Sequence, residues 1–495
     1  MKEHLEKLTR ESIVYGLGQA AGRGLQMLLV PVFTRVFTPE AYGVIDLLGL
    51  ASAIAALLVV MGTDAALARF FYEAADESAR RTMVSTSALW RLGVCLVVAA
   101  ALALTAPLFS IFLLDSPDYA KYVRLAALAI PFTAFFMFQN DVLRVTFQPW
   151  KFIALNLFNT VLVGGLAILF VVVWRKDVAG VLYGRLIGDA LTAAFGFVLI
   201  RHSLAWHFDR ALLGRMLGYG APLIPVAVAF WALQYADRWT LAHYADLAAV
   251  GVYAVAVKMG AAMMLIVSAF HLAWGPFAFA RAHDPGAAAL FSRVLTLYVG
   301  VASAIALALG LFAPEALTIV PAGYRPAALP GALLCFAAVA HGAYYVAALG
   351  ANLALRNDIV AWTSLFAALV AISLNFVLVR PLGLLGVAIA TCTGFTLSTM
   401  LLYAWAQRVH PIPFRGLRAT ALFGLAILAL FAGLAAARAW GGDGGAGSIG
   451  VRLAALAAFM GAAAWLARRM PPPWSRPIVL PGDAELPLIL PEERT

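Results

Sequence analysis

The sequence predicts an all-α polytopic membrane protein of about fourteen transmembrane helices, and three features carry that prediction. Of the 495 residues, 63% are hydrophobic and only 12% charged, with a mean hydropathy of +0.90; soluble domains carry about 25% charged residues. Apolar runs of roughly 20 to 30 residues recur along the chain, the length an α-helix needs to cross a bilayer, whereas barrel strands alternate over about ten residues. The connections between runs are short. They leave no room for a nucleotide-binding fold or an extramembrane catalytic domain, and no G-x-x-x-x-G-K-[ST] pattern occurs.

Taken in order, the charged segment 1–11 leads directly into the first apolar run without a small-residue cleavage site, so no signal peptide is predicted. The first span, 12–36, carries Arg23 near its middle, roughly 15 Å from either end. Gln19, Arg23 and Gln26 share one helical face at i, i+4 and i+7. A charge at that depth costs at least about 3 kcal/mol, so it must face a partner or a water-filled cavity. The remaining spans then form the cavity walls.

The second span, 40–72, holds Asp46 and the deeper Asp64; the third, 83–112, holds Arg91. The fourth, 120–145, ends in Asp141 and Arg144, spaced to neutralise each other. After the fifth, 150–174, the sixth, 178–201, repeats the theme with Arg185 and Asp189. A linker, 202–211, precedes the seventh span, 212–243, where Pro222 and Pro225 free backbone carbonyls and predict a kink suited to a hinge. Further along, Trp231, Gln234 and Arg238 share a face: aromatic and amide groups suited to a sugar. Asp237 and Arg238 are adjacent, so they are expected to face different directions, find partners elsewhere and serve as a gate.

The eighth span, 247–280, carries Lys258 at depth. Six more follow: 287–313, 327–354, 358–379, 383–407, 416–438 and 448–468, with a Pro-rich tail after them. His271 and His341 read as hydrogen-bonded core residues, and Cys95, Cys335 and Cys392 as packing residues. No His/Cys/Asp/Glu grouping has metal spacing, so neither a metal nor a cofactor is expected.

Orientation follows from Lys and Arg. Arg80, Arg81, Lys151, Arg201, Arg210, Arg215, Arg281, Arg293, Arg356, Arg408, Arg415 and Arg418 fall in connections on the side of the termini, which places both termini in the cytoplasm. The positive net charge of +10 is thus a topological signal, and no nucleic-acid partner is expected.

A weak internal repeat is visible. Tyr15-Gly16 and then Ala41-Tyr42-Gly43-Val44 correspond to Tyr219-Gly220 and then Val250-Gly251-Val252-Tyr253. Gly180 to Gly184 has a counterpart in Gly386 to Ala390. Six helices repeated in parallel predict an N-lobe, 12–201, and a C-lobe, 212–407, with 416–468 as an appendix; many transporters use this arrangement for alternating access.

At this level the chain resembles polysaccharide flippases of the oligosaccharide-lipid exporter group. Their superfamily also holds the multidrug/toxin extruders and the peptidoglycan-precursor flippases. The resemblance rests on Arg35 to Gly43 (R-x-[FL]-[TS]-P-E-x-[YF]-G), on Asp237-Arg238, and on Val250 to Ala256 (V-G-x-Y-x-x-A). It implies a bacterial inner-membrane protein with a central cavity lined by spans 1, 2, 7 and 8. Its cargo would be a polyprenyl-pyrophosphate-linked oligosaccharide, membrane lipid its surroundings and a polysaccharide polymerase a partner. It implies no enzyme activity. Arg23 is then the leading pyrophosphate contact, since a guanidinium forks onto phosphate oxygens; Lys258 is the second and Arg91 the third. Asp64 could pair with Arg23, and Asp64 or Asp46 could couple an ion. A cation-coupled multidrug antiporter is the alternative, and a membrane polysaccharide polymerase a weaker one.

Overall fold

The computed structural model describes residues 27–468 except 222–223, 283, 285, 355, 413, 415 and 441–445, together with Gly24. Among these residues all regular structure is helical, and eleven helices are long and apolar enough to cross a membrane. The chain is a polytopic all-α membrane protein.

The described part of the first span is α1 (Met27–Val36). The Arg35 to Gly43 motif then builds the start of α2 (Pro39–Val60). Thr38 is the N-cap, its hydroxyl accepting the Ala41 N–H at 3.3 Å, Pro39 takes the first helical turn and Glu40 meets the positive end of the helix. The second span is broken: Met61 and Gly62 adopt left-handed φ of 46° and 71°, and the chain resumes as α3 (Thr63–Phe70). Asp76 caps α4 (Glu77–Leu104), which is followed by the short α5 (Ala106–Leu114). Three long helices complete this half: α6 (Ala120–Val145), α7 (Pro149–Ile168) and α8 (Asp177–Ile200).

The seventh span is described as two helices, α9 (Arg210–Gly220), capped by Asp209, and α10 (Ile224–Tyr244). Asp246 caps α11 (Leu247–Ala280), its carboxylate accepting the Ala249 N–H at 2.6 Å. Next come α12 (Ala287–Leu311), the single turn α13 (Ala313–Ala316), α14 (Ala328–Ala347) and α15 (Leu349–Leu353). The long α16 (Asn357–Val409) contains two crossings joined at Pro381 and Gly383, where φ 53° and ψ −129° interrupt the helix as the sequence predicts. A final hairpin consists of α17 (Gly416–Ala439) and α18 (Ala446–Arg468).

One core forms around α3, α4, α6, α7 and α8, centred on Leu67, Val84, Phe138 and Leu143, and Met216 of the following helix, α9, is buried in it. A second forms around α11, α12, α14 and α17, centred on Val267, Leu307 and Phe336. The closing hairpin is fixed to the second by Arg452 of α18, only 1% exposed and paired with Glu315 of α13. A third core joins the two groups, with Leu47 of α2 and Tyr253 of α11 both at 0% exposure. Bulky apolar side chains such as Leu104, Val301 and Leu417 remain on the outside, as expected of a molecule whose solvent is lipid.

Candidate functional site

The contacts between the two groups lie at opposite ends of α2. At its start, Gly43 touches α11 backbone to backbone: an added Cβ would collide with the Leu247 carbonyl and stand 3.0 Å from the Gly251 nitrogen. A Cβ on Gly251 would in turn collide with the Pro39 carbonyl. Beside this crossing lies a buried charge cluster. Arg238 of α10 donates from Nε to Asp46 of α2 at 2.9 Å, and its Nη1 lies 3.1 Å from Asp237 Oδ1. The other Asp237 oxygen accepts the Tyr253 hydroxyl of α11 at 2.8 Å. Asp237 is 2% and Arg238 5% exposed, so the interaction is weakly screened. Two carboxylates share one guanidinium, and Tyr253 supplies the further donor that the second carboxylate needs. Tyr324 seals the same end by donating to the Phe37 carbonyl at 2.8 Å and meeting the Tyr42 ring edge-on.

At the other end of α2, the left-handed Gly62 meets Gly220 of α9. A Cβ on Gly220 would lie 2.7 Å from the Gly62 carbonyl group. Phe70 and Tyr219 pack edge to face at 5.7 Å, Arg69 lies 4.9 Å over the Tyr219 ring and Arg215 5.4 Å over Phe70. Helical rise puts Gly43 and Gly62 about 28 Å apart, close to the thickness of a hydrocarbon core. The first six spans thus meet the seventh and eighth at two places, α2 against α10 and α11 at one and Gly62 against α9 at the other.

Of the residues singled out in the sequence, Gln19, Arg23, Gln26 and Pro222 lie outside the described residues, as do the side chains of Pro225 and Gln234. Lys258 is half-buried on α11 and has no ion pair among the described residues. Trp231 is half-buried against the core that joins the groups and tilts against Tyr235 at 5.6 Å; its buried indole N–H has no acceptor among the described residues. Asp64 is half-buried in the first turn of α3. His341 bonds the Tyr345 hydroxyl at 2.9 Å, as a hydrogen-bonded core histidine would, whereas His271 is exposed and stacks on the same ring. Arg185 and Asp189 lie 3.7 Å apart, and Asp189 also accepts from Thr133 and Asn159.

Two expectations are corrected. Arg91, read as the third phosphate contact, sits instead in a buried ion pair. It is 2% exposed, and its guanidinium is held by Asp141 at 2.8 Å and by the Thr63 hydroxyl at 2.9 Å. Asp141 does pair with Arg144, as its spacing predicts, but it has a second oxygen for Arg91. Arg91→Ala is expected to destabilise the fold by about 3–5 kcal/mol, because it leaves a buried acid short of its partner. Thermal unfolding of this variant beside Arg91→Ala/Asp141→Ala checks it; a stable single variant lacking only transport would restore the cargo role. The second correction concerns Asp237 and Arg238. They bond each other as well as partners elsewhere, because one Asp237 oxygen takes both the Arg238 backbone N–H at 2.8 Å and its guanidinium at 3.1 Å.

Sequence reasoning left Tyr253, Tyr324 and the Gly62–Gly220 contact without a role. The Tyr-Gly repeat signalled part of this, since it contains Tyr253 and its glycines Gly43, Gly220 and Gly251 lie at these contacts, whereas Tyr324 and Gly62 fall outside it.

Fold and contacts together define a class: an all-helical, many-spanning membrane protein whose first six spans meet the seventh and eighth at two places. Residues 8–283, more than half of the 495, match the family described as polysaccharide biosynthesis protein, and the chain belongs to that family. A protein of the Lsg locus of Haemophilus influenzae is 24% identical over 270 residues, which are 53% of this chain and 62% of that relative. Among solved structures, the lipid II flippase MurJ in an inward closed conformation superposes with a TM-score of 0.70 at 13% identity, covering 92% of this chain and 99% of that one. An outward-facing multidrug resistance MATE family transporter of the MOP superfamily gives 0.55 at 15% identity, covering 81% and 95%. A Vibrio cholerae MATE transporter gives 0.57 at 15%, covering 82% and 99%. These likenesses establish the fold.

Proposed function

We propose that this protein is a flippase that moves a polyprenyl-pyrophosphate-linked oligosaccharide from the cytoplasmic to the outer leaflet of the bacterial inner membrane, for surface polysaccharide assembly. The observation that carries the reading is the pair of closures about 28 Å apart along α2. The lobes read from the sequence meet at both, through α2 with α10 and α11 at one and through Gly62 with α9 at the other, and alternating access requires that one open while the other holds. The Lys/Arg pattern sets the Gly62–Gly220 closure at the cytoplasmic face and the Asp46–Arg238 closure at the outer face. The lobes are 12–201 and 212–407. Their cavity is lined for the cargo by Arg23 and Lys258 for pyrophosphate, and by Gln19, Gln26, Trp231 and Gln234 for sugar. Asp64 serves coupling, and Pro222 and Pro225 the hinge.

The test is transfer of a labelled polyprenyl-pyrophosphate oligosaccharide between leaflets of proteoliposomes. Arg23→Ala is expected to lose transfer by roughly tenfold or more, the worth of a charge-assisted hydrogen bond, and Arg23→Lys to recover part of it. Full activity of Arg23→Ala with loss in Lys258→Ala would transfer the phosphate role to Lys258. The likeness to multidrug MATE transporters favours one second reading, a cation-coupled antiporter; organic-cation export without lipid transfer would select it.

A further inference from the structure

A cavity of about 340 Å³ opens between the residues that follow α3, the first turns of α4 and the turn from α6 to α7. Two orphaned polar atoms belong to its lining residues. The buried Nε of Arg80 has no acceptor, and Arg80 makes no ion pair among the described residues. Its guanidinium lies 5.5 Å over the Phe71 ring, which fixes it in place. The buried Oε1 of Gln148 has no donor among the described residues, although its amide nitrogen donates to Thr146 at 3.0 Å. An orphaned donor and an orphaned acceptor are each costly, and here both belong to residues that line one cavity, without satisfying each other. Phe147 shapes the wall by holding a left-handed φ of 52°, with its ring 5.9 Å from Tyr72. Glu77 lies at the mouth but is taken by Arg81 at 3.3 Å, so the cationic character of Arg80 remains.

The geometry points to a binding site for a phosphate ester that also carries a hydroxyl: phosphate oxygens on the Arg80 guanidinium, the hydroxyl on the Gln148 amide group. Such a group is offered by a glycerophosphate lipid headgroup in the adjoining leaflet or by a soluble phosphorylated metabolite. The site lies where it can act on the Gly62 closure, since Arg69 and Phe70 face Tyr219 while the next two residues, Phe71 and Tyr72, line the cavity. That consequence rests on the proposed gating, whereas binding itself does not.

The test is binding to the full chain in phosphatidylcholine nanodiscs, so its failure is separate from any failure of transport. Glycerol 3-phosphate is titrated by calorimetry, and retention of added phosphatidylglycerol is read by native mass spectrometry. At least one ligand is expected to bind, about tenfold more weakly to Arg80→Gln and to Gln148→Met. Binding of the soluble ester assigns a metabolite; retention of the lipid alone assigns a headgroup. If Arg80→Gln does not fold, Arg80→Lys and Gln148→Met carry the comparison. Binding unchanged by folded variants, or no binding of either ligand, overturns the proposal and leaves a hydrated cavity.

Discussion

Gly251→Leu is expected to hold the outer end of the molecule open and to cut lipid transfer between about fivefold and 150-fold while the helices remain folded. The reason is steric. A Cβ at this position meets the Pro39 carbonyl, which is backbone and cannot rotate away, and the opposing residue is already glycine. Relief requires α2 and α11 to separate. Overpacking of this kind costs about 1–3 kcal/mol, and here the cost falls on the outward-closed state alone, giving the stated population shift. A membrane-impermeant maleimide should label Tyr42→Cys from outside in the Gly251→Leu background and far less in its absence. Unchanged labelling and normal transfer would mean that the Gly43–Gly251 crossing does not gate.

Arg238→Met should lower stability by about 3–5 kcal/mol, since Asp237 is left buried without its cation. Replacing the whole set, as in Asp46→Asn/Asp237→Asn/Arg238→Met, should recover most of that loss, because neutral groups of similar size avoid the desolvation penalty. Thermal unfolding reads both. A double-mutant cycle between Asp46 and Arg238 isolates the part that joins the two helical groups. An Arg238→Met chain as stable as its parent would show that the cluster does not hold the outer closure.

Most of the helical framework was legible in the sequence, because its signals are local. The eighth span, read as 247–280, coincides with α11: Asp246 caps it, and Arg281 follows its last turn. The fourth, read as 120–145, coincides with α6. The break at Met61 and Gly62 was not read, because the contact it makes is non-local: it sets the Gly62 backbone against that of Gly220, far away in the chain. The same separation hid the outer closure. Arg238 finds Asp46 across 192 positions, and no spacing rule connects them. Local rules also gave half answers, as when Asp141 was paired with Arg144 but not with Arg91, which lies 50 positions away. The Tyr-Gly repeat was visible, yet only the packing showed what its glycines are for: they let two backbones touch.

The central claim is that lipid passes only when the outer closure opens, and it is tested most directly by locking that closure during transport. In a background lacking Cys95, Cys335 and Cys392, all buried, Tyr42→Cys and Tyr324→Cys replace rings whose centroids are 5.9 Å apart. They are joined by a short reducible cross-linker in proteoliposomes loaded with labelled polyprenyl-pyrophosphate oligosaccharide. Transfer is expected to stop on cross-linking and to resume on reduction. Transfer that continues at full rate through the cross-linked chain would contradict the account.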